Sequence, residues 1–209
     1  MIVRLTEGIL HTRYGPFKEV LYYDGRAEAI ALVKGDIGDG RNILCRVHSS
    51  CISAHVFNSI ECDCREQMEA AQEAIEGESR GVIVWLDQEG KGNGHLALLA
   101  TASLREQGVG QTAAYERLGF TADARDYLRA AEILMDLGVK SVILLTNNPD
   151  KANSLAEHGV KVTSLLSLTV DAGGNRRLRF TYKDKIKRGH TIELPDEEQC
   201  SFSFMDPLE

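Results

Sequence analysis

Cys51, Cys62 and Cys64 form the pattern C-x10-C-x-C within CRVHSSCISAHVFNSIECDCREQ, residues 45–67, which holds four of the chain's five cysteines. Side chains on extended backbone repeat every second residue, so Cys62 and Cys64 can point the same way. Cys51 closes the loop from the end of a strand. Thiolates converging at about 2.3 Å bind zinc, and three protein ligands with an open fourth position is the catalytic arrangement. The open position holds a water whose pKa the metal lowers to about 7. His48 or His55 as a fourth ligand would instead make the site structural. A further reading leaves the cysteines as small core residues. It suits Cys45, on a strand expected to be buried, better than it suits the cluster. Cys200 stands far from the others.

Two loops have the residue types of anion sites. DQEGKGNGH, residues 87–95, follows a short apolar run and precedes a helical pattern. Its glycines allow close backbone approach, the helix start offers free N–H groups, and Lys91 adds a point charge. TNNPDK, residues 146–151, repeats the design, with Thr146 at a strand end, Asn148 as N-cap, Pro149 at the first helical position and Lys151 in the first turn. Either loop alone is also an ordinary strand-to-helix turn. Beside a hydrolytic metal, the pair points to a substrate that joins a hydrolysable base to phosphates, and a nucleotide is the economical answer.

The elements that must position these residues can be read from periodicity. KEVLYY and AEAIALVKGD are strands separated by Asp24-Gly25, a hairpin signal. NILCRVHS is a strand that delivers the chain to the cysteine loop. EQMEAAQEAIEG, residues 66–77, is helical, GVIVWL (81–86) is a buried strand, and a helix runs on through LALLATASLREQG. ARDYLRAAEILMDLG predicts a helix over 124–138, with Asp123 where an N-cap would sit. SVILLTNNPDKANSLAEHG reads strand, loop, helix, and KVTSLLSL is a further strand. The order predicts one mixed α/β domain, a β-rich N-terminal third followed by βαβ-like units. It spans 1–170, with a C-terminal extension over 171–209 that packs on the same domain or on a dimer partner.

The formal net charge of −7 disfavours a nonspecific nucleic-acid binder. RRLRFTYKDKIKR, residues 176–188, runs against that balance with seven basic residues and one acid. It reads either as a solvated strand pair or tail, or as an edge facing phosphate or a partner. No apolar run approaches the ~20 residues of a membrane-spanning helix, and MIVRLTEGILHTRYG lacks the apolar core of a signal peptide. A reducing cytoplasm is therefore expected, where closely spaced cysteines bind metal or catalyse rather than pair.

Taken together, RVHSSC, CDCREQ, QEGKGNG, LGFTADARDY and LLTNNPDK, with YGPFKEV and ALVKGDI near the start, resemble the GTP cyclohydrolase II family of riboflavin biosynthesis over nearly the whole chain. The resemblance implies a homodimeric zinc enzyme that hydrolyses GTP to formate, pyrophosphate and a diaminopyrimidinone ribosyl monophosphate, with magnesium accompanying the triphosphate. It implies Cys51, Cys62 and Cys64 as zinc ligands, with hydroxide generated at zinc attacking C8 of guanine. Arg46, Val47, His48, Ser49, Gln67, Glu89, Gly90, Lys91, Thr146 and Lys151 fall at the family's GTP-contacting positions. Glu89 suits a guanine edge, while Lys91 and Lys151 suit phosphates. Arg125 and Asp123 match a proposed nucleophile for the α-phosphate and its proton acceptor. A guanidinium stays protonated and is a better phosphate clamp than nucleophile.

The chain departs from the family pattern at several positions. Asp87 stands where an arginine is usual, Lys91 replaces a second arginine, Asn93 an isoleucine, and Ser50 a glutamate. Ala102 takes a tyrosine's place and Gln111 a threonine's, with Thr112 one position late. These changes support an alternative: a paralogue with the same zinc chemistry that acts on a different nucleotide or base-derived ring, or stops after ring opening. A nucleotide-sensing protein without turnover is a third reading, which the presence of Asp123 and Arg125 opposes.

Overall fold

A computed structural model describes residues 1–168, 170–172 and 175–194. Cys200 and the rest of 195–209 lie outside the described residues. One sheet of seven strands runs β1 (Val3–Thr12), β2 (Gly15–Tyr23), β3 (Glu28–Lys34), β5 (Gly81–Leu86), β4 (Ile43–Ser49), β6 (Ser141–Leu145), β7 (Lys161–Leu166). The first three strands and β5 pair antiparallel, whereas β5, β4, β6 and β7 pair parallel. Asp24 closes the β2–β3 turn by accepting the N–H groups of Arg26 and Ala27 at 2.8 and 2.9 Å.

The central parallel strands are covered on both faces, which is why ILCRVHS and GVIVWL carry apolar residues almost without alternation. On one face, Val47, Val84, Leu86 and Leu144 pack with Ala130, Ile133 and Leu134 of α6 (Leu128–Asp136) and Leu155 of α7 (Pro149–Glu157). On the other, Leu44, Ile83 and Leu145 meet Ala71 and Ile75 of α2 (Cys64–Glu78). Cys45 belongs to the first cluster and is fully buried. Its thiol, pushed up to about 12 by burial, is a core group and not a site group.

Several boundaries differ from expectation. Helix α2 passes through Gly77 and ends with Ser79 in the left-handed region. The helix after the glycine loop breaks at Thr101 into α3 (Gly94–Ala100) and α4 (Ala102–Glu106). There the Thr101 hydroxyl bonds back to the Ala97 and Leu98 carbonyls at 3.1 and 3.0 Å, the local competition that bends helices. A short α5 (Gln111–Arg117) follows. Helix α6 begins at Leu128, not near 124; Ala124 lies in the preceding loop, where its N–H is bonded to the Lys91 carbonyl at 2.9 Å. Asp126, not Asp123, accepts the Leu128 N–H at 2.9 Å, so Asp123 is free of a capping role. Helix α7 starts as expected, with the Asn148 side chain accepting the Asp150 N–H and Pro149 next to it.

The basic segment is neither a strand pair nor a tail. It is helix α8 (Arg176–Ile186), capped by Asn175, whose side chain accepts the Leu178 N–H at 3.1 Å. Leu178 and Tyr182 bury one face against Ala172 and Ile192. Among the described residues no helix is long and apolar enough to cross a membrane.

Candidate active site

Strands β4, β5 and β6 deliver the cysteine loop, the glycine loop and the TNN loop to the same end of the sheet. The chain steps from β4 to β5 on one side and to β6 on the other, and the carboxyl ends flanking such a reversal form a crevice. Here that crevice is a cavity of about 770 Å³, within the range of small-molecule sites. Every family site position identified above lines it except Val47 and Asp123. The Val47 side chain lies in the core, and its carbonyl accepts Lys151 Nζ at 2.7 Å. Asp123 reaches the cavity only through its partner Arg125.

The candidate metal corner is built from three elements. Cys51 precedes α1 (Ile52–His55), Cys62 lies in the loop, and Cys64 opens α2. The three sulfurs lie within 4.8 Å of one another, with Cys51 and Cys62 at 3.6 Å. Tetrahedral zinc with bonds of about 2.3 Å would set its sulfurs ~3.8 Å apart, so the donor set fits that ion. Its hydrogen bond to Cys51, with burial adding, pushes the Cys62 thiol up to about 12. Sulfurs this close need a cation to ionise together. Among the described residues neither His48 nor His55 joins the cluster. His55 Nε2 lies 3.3 Å from the Cys64 carbonyl. His48 is buried among Arg46, His55 and Lys151 and held neutral, chiefly by burial, with both ring nitrogens unpartnered at the cavity wall.

The glycine loop makes a tight turn over Glu89–Gly92, with Gly90 and Lys91 both at positive φ, 57° and 56°. Glu89 is buried and accepts the Ile52 N–H at 2.7 Å, tying this turn to the helix that starts at the metal corner. At Gly92 (φ +80°) an added Cβ would sit 2.7 Å from the Ala124 carbonyl group. Gly92→Ala should therefore destabilise the chain by more than about 1 kcal/mol, read as a lower urea midpoint with unchanged m-value.

Four cations converge opposite the sulfurs. Lys151 is buried over the Tyr127 ring at 5.5 Å. Its pKa is held well below the ordinary value by burial and by Arg46 and Arg125. Lys91 donates to Thr112 Oγ1 at 2.7 Å, and its pKa falls to about 8 through burial and the nearby Arg188 and Arg125. Arg46 is buried and donates to the Leu145 carbonyl at 2.9 Å. Arg125 forms a two-pronged pair with Asp123, 2.9 and 2.5 Å. Burial works against its charge, but that pair prevails and holds its pKa above the ordinary value. A group of basic side chains with Asp123 as its paired carboxylate suits a polyanion, whose charge would favour the protonated form of Lys151.

The departures from the family pattern take definite places. Asp87 is exposed, outside the cavity, and accepts the Ser50 hydroxyl at 3.2 Å. The two substituted positions thus face each other, and the Asp87 charge does not line the cavity. Ala102 does not line the cavity, whereas Gln111 does and donates to the Tyr115 hydroxyl at 2.8 Å. Thr112 is the residue that receives Lys91.

A family model described as GTP cyclohydrolase II matches residues 4–167. The chain belongs to the GTP cyclohydrolase II family. Similar curated proteins, each named riboflavin biosynthesis protein RibBA, include one from Endomicrobium trichonymphae, 40% identical over 187 residues (88% of this chain, 46% of the relative). Another from Nocardia farcinica is 40% identical over 195 residues (91% and 47%). A third from Salinispora tropica is 42% identical over 193 residues (90% and 48%). The chain spans about half the length of the curated relatives it matches. A solved two-domain 3,4-dihydroxy-2-butanone 4-phosphate synthase from A. baumannii, RibBX, is 25% identical over 81% of this chain and 40% of its own, with a TM-score of 0.45.

Around this cavity, some contributors carried no sequence signal. Arg65 donates to the Ala54 and His55 carbonyls at 2.5–3.0 Å, bracing α1 against α2 beside the sulfurs. Asn147 is buried and accepts from Ser167 and Leu168 while donating to the Leu168 carbonyl, which fixes the TNN loop. The second asparagine of that loop was legible as a cap; the first was not. Helix α8 supplies a further wall through Arg177, Thr181, Asp184 and Lys185.

Proposed function

We propose that this chain hydrolyses the imidazole ring of GTP in a zinc-dependent reaction that releases formate and pyrophosphate. The observation that supports this best is the joining, in one cavity of a GTP cyclohydrolase II chain, of a three-sulfur donor set and four converging cations. Cys51, Cys62 and Cys64 would hold a zinc ion, which would supply an activated water at neutral pH and a Lewis acid. The protein's own residues do the rest.

Glu89 has one oxygen engaged by the Ile52 N–H, and its other oxygen has only a long 3.3 Å contact with the Gly90 N–H. That second oxygen accepts the N1–H and amino group of guanine. Lys91, Lys151, Arg46 and Arg125 neutralise the triphosphate, and magnesium accompanying the nucleotide would supply further positive charge. The positive φ of Gly90 turns the backbone so that the base edge can approach it. Arg125, held in orientation by Asp123, clamps the α-phosphate. Because Asp87 lies off the cavity, the triphosphate is not opposed by its charge, and this substitution is compatible with GTP as substrate.

This reading carries a homodimer acting on a small nucleotide in the cytoplasm, with neither nucleic acid nor membrane as partner. The exposed apolar side chains of Val56, Phe57, Leu96 and Leu99 offer a second copy surface to cover. Light scattering should give twice the chain mass.

The test is a substrate panel with zinc-loaded protein and magnesium. GTP should yield formate and pyrophosphate in equal amounts. ATP, which presents Glu89 with an acceptor in place of N1–H, should be turned over about 10⁴-fold less efficiently. Equal turnover of ATP, or formate without pyrophosphate, would move the reading to the altered-paralogue alternative.

A pH dependence follows from Lys91. Its free-state pKa of about 8 means the ammonium is present below pH 8 and lost above it. The KM for GTP should therefore rise as pH passes through about 8, while bound phosphate raises the pKa and draws a proton in. Lys91→Met should remove that rise and leave KM high at all pH values.

A further inference from the structure

Asp63, the residue between Cys62 and Cys64 in the chain, is 1% exposed. A carboxylate there needs partners, and most of them come from α8. Its Oδ1 accepts Lys185 Nζ at 2.9 Å, and its Oδ2 accepts the Tyr182 hydroxyl at 2.8 Å. Oδ2 also accepts Gln67 Nε2 at 2.5 Å, while Gln67 Oε1 accepts the Arg46 guanidinium at 2.5 Å. A continuous run of hydrogen bonds thus leads from α8, through the residue between Cys62 and Cys64, to a cation of the phosphate wall.

The same helix grips the loop ahead of Cys62. Asn175 Nδ2 donates to the Ile60 carbonyl at 2.8 Å, Thr181 Oγ1 to the Glu61 carbonyl at 2.7 Å, and Arg177 pairs with the Glu61 carboxylate at 3.0 Å. Residues 56–63 belong to no helix or strand, so the loop's geometry is set by what holds it. Arg105 of α4 also holds the Glu61 carboxylate, at 2.8 Å; α8 with its cap, beyond the family match that ends at residue 167, supplies the contacts of Asn175, Arg177 and Thr181.

We propose that α8 is a clasp on the metal loop, in which Tyr182 and Lys185 are positioning residues: they fix Asp63 so that Cys62 and Cys64 converge with Cys51, and through Gln67 they aim Arg46 at the phosphates. Preorganising ligands through such outer partners affects metal affinity about 10–100-fold. Lys185 also lines the cavity, whereas Tyr182 does not. Tyr182 therefore separates positioning from direct contact with substrate.

The inference rests on the zinc and GTP reading above, so its test is read without GTP first. The full chain is stripped of metal and titrated with zinc against a chromophoric chelator. Tyr182→Phe and Lys185→Met should each weaken zinc roughly tenfold, and Lys185→Arg, which can still pair with Asp63, should stay near wild type. In turnover assays Tyr182→Phe should also raise the KM for GTP severalfold through Arg46. Wild-type zinc affinity in both Tyr182→Phe and Lys185→Met overturns the clasp. If Lys185→Met does not fold, Tyr182→Phe, which loses a single hydroxyl, decides alone. A wild-type chain that binds zinc and leaves GTP unchanged defeats the functional reading instead, and the chelator titration still judges the clasp.

Discussion

Replacing Cys64 with serine should abolish ring opening, with turnover at least about 10³-fold lower and zinc content falling from one ion per chain to a small fraction of that. The hydroxyl is a hard, weakly acidic donor that does not replace a thiolate, and two sulfurs do not hold the ion against chelators. The chain should still fold. Cys64 opens α2, whose anchoring side chains Ala71 and Ile75 lie further along and pack against Leu44, Ile83 and Leu145. The contrast is Cys45→Ser. That side chain is fully buried between the sheet and α6, so placing a hydroxyl there should cost about 1–3 kcal/mol of stability and leave zinc content unchanged. Metal analysis and urea unfolding of the two variants side by side separate a ligand from a core residue.

Arg125→Met should lower kcat/KM about 10²–10³-fold, the size expected when a preorganised donor to developing charge is lost. The structure favours a clamp over a nucleophile. Arg125 is fully paired with Asp123 and its pKa is held above the ordinary value, so the neutral nitrogen needed for attack is strongly disfavoured. A clamp predicts that KM rises, that formate and pyrophosphate fall together, and that Arg125→Lys recovers only part of the loss because a point charge does not reproduce the fork. A nucleophile predicts loss of pyrophosphate release with GTP binding retained. Asp123→Asn should cost about tenfold, because it loosens the arginine without removing it.

The three-cysteine cluster and the two loops were legible because metal and anion chemistry needs particular residue types at fixed spacing, and spacing is what a sequence records. The central strands were legible because burial on both faces leaves continuous apolar runs. Helix α8 was not. Its apolar anchors Leu178 and Tyr182 are one turn apart among seven basic residues, and their partners Ala172 and Ile192 lie outside the helix. The start of α6 was misplaced because the helical pattern of ARDYLRAAE carries no mark of the loop that holds Ala124 against the Lys91 carbonyl, 33 positions earlier in the chain. Asp63 illustrates the same limit. An aspartate between two cysteines has no signature of its own, and its role depends on Lys185, 122 positions away. The exposed placement of Asp87 was equally unreadable, since it follows from a partner at Ser50 on a different strand end.

The most direct test follows the fate of one atom. GTP labelled with ¹³C at C8 is incubated with the zinc-loaded protein and magnesium, and the carbon is tracked by NMR. Recovery of the label as formate, with loss of the purine C8 signal and one pyrophosphate per formate, is the expected result. A label that stays in the intact purine ring, with the protein holding one zinc at its three cysteines, would contradict the assignment of this cavity as a GTP ring-opening site.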